Sequence, residues 1–274
     1  MRVTKYWMYL LSIVFVMDCS IVYAKGLSSG RWVVWSSNAA SAWEDAFVVG
    51  NGVQGMMAVN DSASERFICT HEELFIRGWD RRKVAVPKTA HLLPQVRHLM
   101  EMRKTDEADE LLTGEAERQL REMGALQRWP LIPHPAFDLC VDWEGKERNA
   151  FRRQLDLEIG EGKSRWQYTG GFLEESYFSS RTHHVNVVRF KGENGKRLNL
   201  LLSLKETPGR DGMHFEHDLA NAFKDIKKEV DLGWLTYHAA YSQDSGGYDG
   251  VARVILRGGR MSQKGSALQI EDAK

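Results

Sequence analysis

The sequence predicts a mainly β protein, a large antiparallel β-sandwich (a supersandwich) with an inserted helical hairpin. Short stretches of alternating apolar and polar residues recur along the chain, separated by Gly- and Asn-rich turns. In "RLNLLLSL", Leu198, Leu200, Leu202 and Leu204 share one face, with Leu201 the apolar residue opposite; in "AFDLCVDW", Phe137, Leu139, Val141 and Trp143 do the same. Only residues 92–123 switch to a helical period, which marks an excursion between strands.

At the start of the chain, Arg2 and Lys5 precede a mostly apolar stretch too short to span a bilayer, and Val22-Tyr23-Ala24 ends it with small residues at cleavage positions. Residues 1–24 are expected to be a secretory signal peptide, so the protein is expected to be exported, to a periplasm or the outside. A retained anchor is the alternative, and Asp18 before Cys19 argues against lipidation. "RWVVWS" opens the domain at 25–274 as a strand. "AFVVGNGVQGMMAV" then holds a G-x-G-x-x-G, residues 50–55. A dinucleotide fingerprint needs a helix after the glycines. Here Met56-Met57-Ala58-Val59-Asn60 leads to another turn, so the stretch predicts a hairpin with Asn51-Gly52 as a type I′ turn, extended by "ERFICT" into a meander.

In the helical region, Leu92, Val96, Leu99 and Met100 recur at helical spacing. Thr105 is the expected cap of a second helix, with Asp106 and Glu107 in its first turn and Gly124 its stop. Ala108, Leu111, Leu112, Ala116, Leu120 and Met123 form its apolar stripe. Beyond "AFDLCVDW", Leu155, Leu157 and Ile159 alternate in "RQLDLEIG". Gly170-Gly171 and Glu193-Asn194-Gly195 are hairpin signals. "DLANAFKDIKKEV" predicts a short amphipathic piece, "WLTYHAAYS" and "GVARVILRGG" predict strands, and "SALQIEDAK" is expected to leave an unpaired edge.

Composition narrows function. Lys and Arg number 37 against 37 Asp and Glu, which gives no electrostatic reason to expect nucleic acid or an anionic membrane as partner. Cys69 and Cys140, in apolar strands, fit either buried thiols or one bridge. No phosphate-loop lysine comes after the glycines, no G-x-S-x-G occurs, and no His/Cys set has ligand spacing, so no cofactor and no metal is expected. Among the acids, Glu44-Asp45, Glu72-Glu73 and Asp142 with Glu144 stand close in sequence, but adjacent carboxylates on a strand face opposite ways, as do His183 and His184. His71 and Glu72 end a strand shortly before Trp79, a composition found where sugars bind. Nine tryptophans and eight tyrosines supply enough aromatic surface for such stacking, although most fill cores.

Taken in order, "WEDAFVVGNGVQGMMAV", "ERFICTHEELFIRGWD", "PHPAFDLCVDW", "RQLDLEIG", "YTGGFLEESYFSSRTHHVNVVRF" and "WLTYHAAYSQDSGGYDGVARVI" resemble the N-terminal domain of glycoside hydrolase family 95, the α-L-fucosidase and α-L-galactosidase group. The resemblance implies a β-sandwich that precedes a linker and an (α/α)6 barrel. It places the general acid and the water-activating residues on that barrel, so no catalytic residue is assigned to this chain, which is expected to end before it. His71 stands where many members have asparagine, a departure that bears on sugar choice, and Arg77-Gly78 departs from the commoner endings. The resemblance implies a fucosylated or L-galactosyl glycan as ligand and the barrel as partner; the polar clustering of Asn51, His71 and Glu72 beside a tight turn, with Trp79 nearby, makes these four the candidate substrate-binding residues. A free-standing carbohydrate-binding or accessory module, and an inactive gene fragment, are the alternatives. No hydrolysis by these 274 residues alone is expected. Release of aryl alcohol from an aryl α-L-fucoside by the purified chain would contradict that.

Overall fold

The computed structural model describes residues 10–16, 32–60, 64–77, 86–123, 131–143, 149–168, 171–207, 222–242 and 245–274. The chain divides into two compact units, residues 1–74 with 134–274, and residues 75–133.

In the larger unit, the strands are β1 (Leu10–Val16), β2 (Val33–Ser36), β3 (Phe47–Gly50), β4 (Gln54–Asn60) and β5 (Ser64–His71). The smaller unit has β6 (Phe75–Arg77), α1 (Leu93–Glu101), α2 (Thr105–Glu122) and β7 (Leu131–Pro133). The larger unit resumes with β8 (Phe137–Trp143), β9 (Asn149–Asp156), β10 (Glu161–Tyr168), β11 (Gly171–Ser180), β12 (Val185–Gly192), β13 (Leu198–Lys205), β14 (Phe223–Asp231), β15 (Trp234–Tyr241), β16 (Gly247–Ile255), β17 (Arg260–Lys264) and β18 (Ala267–Ala273).

Two sheets build the larger unit, one of nine strands in the order β14-β15-β16-β1-β12-β11-β10-β9-β2 and one of seven in the order β17-β18-β13-β8-β5-β4-β3. Pairing among the described residues is antiparallel except where β1 lies parallel to β12 and β16. Alternation decides which side chains meet between the layers. From the seven-stranded sheet come Met56, Phe67, Phe137, Leu139, Val141 and the Leu198–Leu204 row; Trp166, Leu173, Tyr177, Val188, Phe190 and Leu235 come from the other. Rings meet across the gap: Phe67 lies edge-on to Tyr177 at 5.5 Å, Trp143 lies 5.2 Å from Trp166, and Phe137 lies 5.5 Å from Tyr237. The predicted fold class is the observed one.

Several local expectations give way to turn chemistry. Leu157 and Ile159 do not continue the alternation of β9. Asp156 Oδ1 accepts the Glu158 and Ile159 N–H groups at 3.0 and 3.4 Å, and Gly160 takes φ +67, so the chain turns and leaves both side chains exposed. Glu193-Asn194-Gly195 is no hairpin. It forms a 3-10 turn with Asn194 at φ 54, and it carries the chain from the nine-stranded sheet to β13 in the seven-stranded one. His183 and His184 sit in the turn between β11 and β12, with His184 at φ 49, and not on a strand.

The "FKDIKKEV" part of the expected amphipathic piece is strand β14, which pairs with β15 and forms an edge of its sheet. Ile226 and Val230 pack against the core, Lys228 on their face pairs with Glu206 at 2.8 Å, and Lys227 faces out; charges on both faces protect an edge from further pairing. β18 is paired on both sides, by β13 and β17, so the expected unpaired edge is not there. Cys69 and Cys140 are free thiols. They lie on neighbouring strands but with opposite parity: Cys69 shares the inner face with Phe67, and Cys140 points outward, opposite Arg66. That geometry forbids a bridge.

The smaller unit pairs β6 with β7 and closes a helical hairpin between them. α2 starts at Thr105 itself, with Lys104 in the cap position and no side-chain cap, while Asp106 and Glu107 occupy the first turn as expected. Val96 and Ala108 are the buried residues of α1 and α2. Met100, Leu112 and Met123 remain exposed. Gly124 lies outside the described residues.

Tight packing in the core makes Gly250 sensitive. A Cβ there would lie 2.0 Å from the Phe137 ring, so Gly250→Ala is expected to cost about 1–3 kcal/mol of stability by overpacking, measured by urea denaturation; an unchanged midpoint contradicts it. Asp138, on the outer face of β8, is 1% exposed and accepts a hydrogen bond from Thr207 Oγ1 at 2.6 Å. Burial pushes its carboxyl up to about 6, against the smaller opposing effects of Thr207 and Arg66. The folded state therefore binds this proton more tightly than the unfolded chain. The resulting stabilisation is full below the ordinary carboxylate pKa and is lost as pH rises through about 6, at about 1.4 kcal/mol per pH unit. Asp138→Asn is expected to raise Tm relative to wild type more at pH 7.5 than at pH 4.5; an equal difference at both contradicts it.

Candidate functional site

The glycines of residues 50–55 shape a turn. Gly50 and Gly55 are the last cross-strand pair of β3 and β4. Between them Asn51 N–H donates to the Gln54 carbonyl at 3.0 Å. Asn51 Oδ1 accepts the Val53 and Gln54 N–H groups at 3.0 and 2.9 Å, taking the part a backbone carbonyl would play. Only Gly52 has positive φ, at +94. The turn is therefore centred on Gly52-Val53 with the sign pattern of type II′, one residue along from the expected type I′ turn at Asn51-Gly52. Gly55 serves a different need, since a Cβ there would lie 2.9 Å from the Val49 carbonyl. A strand comes next in place of a helix, which removes the dinucleotide reading.

This turn is fastened twice. Asn51 Nδ2 donates to the Ser180 carbonyl at 2.9 Å, and Asn186 Nδ2 donates to the Gly55 carbonyl at 3.3 Å. Ser179 Oγ donates to Asn186 Oδ1 at 2.6 Å and so orients its amide. Ser179, Ser180 and Asn186 belong to the nine-stranded sheet, so the tip of a hairpin from one layer is latched to the other. A second turn lies alongside. Glu72 N–H donates to the Val53 carbonyl at 2.7 Å, Leu74 N–H donates to the His71 carbonyl at 3.1 Å, and Glu73 N–H donates to His71 Nδ1 at 3.3 Å. In neutral His71 the proton is then on Nε2.

The structure thus brings Asn51, His71 and Glu72 together. His71 is half-buried, and Glu72 is exposed. Trp79 lies outside the described residues. The polar capacity of Asn51 is used within the fold, which makes it a scaffold for its neighbours. Sequence reasoning missed Gln54, which is opposite His71 in register and 5% exposed; its Nε2 has no hydrogen-bond acceptor among the described residues. Its parity was the available signal, since it sits on the face of β4 that carries Met56 and Ala58.

Two further acids, Glu65 and Glu175, also escape the sequence pattern. They occupy apolar parity in "ERFIC" and "FLEESYF" and are completely buried. Asn60 Nδ2 donates to Glu65 Oε2 at 2.6 Å, and Ser164 Oγ donates to Glu175 Oε1 at 3.3 Å. Arg153 Nη1 donates to the Asp45 carbonyl at 2.7 Å, its guanidinium 4.5 Å from the Phe47 ring centroid. Burial closes these acids to a sugar. His134 is held neutral: its pKa is lowered by burial, its Nδ1–H donates to the Pro135 carbonyl, and its Nε2 accepts from Tyr241 Oη, both at 2.8 Å. Among the described residues no three His, Cys, Asp or Glu side chains converge as a metal site, and no helix is long and apolar enough to cross a membrane.

A sandwich of two largely antiparallel layers with a polar clasp at the tip of one hairpin defines a large β-sandwich domain. Residues 34–274 match the family model of the glycosyl hydrolase family 65 N-terminal domain, and the chain belongs to that family. The match supports a glycoside hydrolase N-terminal domain without singling out family 95. No curated protein matches the chain.

The clasp carries a stability prediction. Asn51→Ala removes the one acceptor of two turn N–H groups and the donor to Ser180 and is expected to cost about 1–3 kcal/mol, read by urea denaturation. Asn51→Asp keeps the acceptor and is expected to lose less. Equal and negligible effects of both would contradict the latch.

Proposed function

We propose that this chain is the N-terminal, non-catalytic sandwich of an exported α-L-fucosidase-like glycoside hydrolase that acts on fucosylated or L-galactosyl glycans. The bond-breaking acids lie on an (α/α)6 barrel partner, and the clasped turns contribute the His71 and Glu72 side chains to the sugar pocket. The observation that carries this reading is the juxtaposition of the two turns within a domain of glycoside hydrolase N-terminal type. His71 Nε2–H and the exposed Glu72 carboxylate give a donor and an acceptor side by side on backbone fixed at both ends, which suits recognition of vicinal hydroxyls. Asn51 acts behind them as a positioning residue. The leader-like composition of residues 1–24 supports export. A second reading, a carbohydrate-binding module acting by itself, is favoured by the exposed Trp35, 59% accessible.

Ligand-observed NMR of the chain with L-fucose and L-galactose tests this reading, together with turnover of an aryl α-L-fucoside by a polypeptide that joins this domain to a barrel. His71→Ala is expected to lower kcat/KM about tenfold or more while changing Tm little, because beyond the sugar contact it removes an exposed turn hydrogen bond from the Glu73 N–H. An unaltered rate would refute the role of His71.

A further inference from the structure

The outer face of the nine-stranded sheet carries a feature that the clasp does not use. Register sets Trp35, Gln154, Lys163 and Ser176 side by side there, with Arg152 and Arg165 in the next row. Trp35 stands on edge strand β2 and is 59% exposed. The Arg152 guanidinium lies over its ring, 4.7 Å from the centroid. Lys163 is matched to Glu161 at 2.9 Å and Arg165 to Glu193 at 2.7 Å. Arg152, by contrast, has no carboxylate within ion-pair distance among the described residues. Gln154 is 3% exposed, and its Oε1 has no donor among the described residues.

These observations combine into a binding chemistry. A guanidinium stacked on an indole is held in one plane with its N–H fork free, and such a fork pairs bidentately with a carboxylate or sulfate. The indole beside it is an apolar wall for the C–H face of a sugar ring. We propose that this face binds an anionic oligosaccharide, its sulfate or carboxylate on Arg152 and its ring on Trp35, at a site that shares no residue with the clasp. The proposal rests on the reading of the chain as a glycan-active domain. A polyanion such as nucleic acid is disfavoured, because 37 basic residues balance 37 acidic ones and Lys163 and Arg165, beside Arg152, are matched to Glu161 and Glu193.

The test is calorimetry and NMR titration of the intact chain with three probes of equal length: a sulfated fuco-oligosaccharide, a hexuronate oligosaccharide and a neutral fucosylated oligosaccharide. At least one anionic probe is expected to bind about tenfold or more tightly than the neutral one, with affinity falling as salt rises and with the Trp35 indole N–H resonance shifting. Which anionic probe binds identifies the charge that is recognised. Trp35→Ala and Arg152→Ala are each expected to weaken binding about tenfold, and Arg152→Lys also, since an ammonium lacks the fork. Anionic probes are expected to shift the Trp35 indole N–H resonance equally in His71→Ala and in wild type, which separates failure here from failure at the clasp. An equal shift of the Trp35 indole N–H resonance by the neutral probe, no binding of either anionic probe, or no response at the Trp35 indole in the wild-type chain would overturn the proposal.

Discussion

Everything in the larger unit depends on closing two alternating sheets over one apolar interior. The inner faces meet through large rings, Trp143 against Trp166, Phe67 against Tyr177 and Phe137 against Tyr237. Those rings leave little room for side chains opposite them, so Gly162 and Gly250 are glycine because Tyr177 and Phe137 occupy the space a Cβ would need. The same interior encloses Glu65 and Glu175, bonded to Asn60 and Ser164 on neighbouring strands, and Arg153, bonded to the Asp45 carbonyl in the turn before β3. Polar groups buried in this way constrain register, since a slip by one residue would turn the rings outward and break the hydrogen bonds that hold Glu65 and Glu175.

Where the interior meets the tip of the β3–β4 hairpin, apolar contact is replaced by hydrogen bonds. Asn51 and Asn186 cross between the layers there, and Val53 accepts from the Glu72 N–H. The clasp therefore transmits the rigidity of the sandwich to a loop that would otherwise move. This is the physical basis for assigning His71 and Glu72 to recognition: the latch fixes their backbone, and the Glu72 side chain remains exposed beside it. The outer face at Trp35 is built on a different support, a short edge strand whose ladder partner among the described residues is β9.

Much of this architecture is legible in the sequence. The leucine row of β13 and the aromatic alternation of β8 announce the layers, because a strand with one buried face must repeat every second residue. The strand-like residues after the G-x-G-x-x-G stretch distinguish it from a nucleotide loop, although the turn lies one residue further along than the pattern suggests. The features that are not legible have a common cause. At Asp156, Glu193-Asn194-Gly195 and His183-His184, local turn hydrogen bonds or positive φ override the apolar pattern that would have continued or paired the strands. The latch itself spans more than a hundred residues, from Asn51 to Ser180, and no local pattern encodes it. Glu65 and Glu175 stay hidden because a charge is read as solvated unless its parity is checked against its neighbours.

Since the clasp bonds run into both sheets, the clasp and the core belong to one cooperative unit. Native-state hydrogen exchange of the Val53, Gln54 and Glu72 amides tests this directly, because these groups donate to Asn51 Oδ1 and to the Val53 carbonyl. They are expected to exchange with the same opening free energy and denaturant dependence as the amides of β5 and β11. Exchange at the rate of an unprotected surface loop, while the strands stay closed, would contradict it.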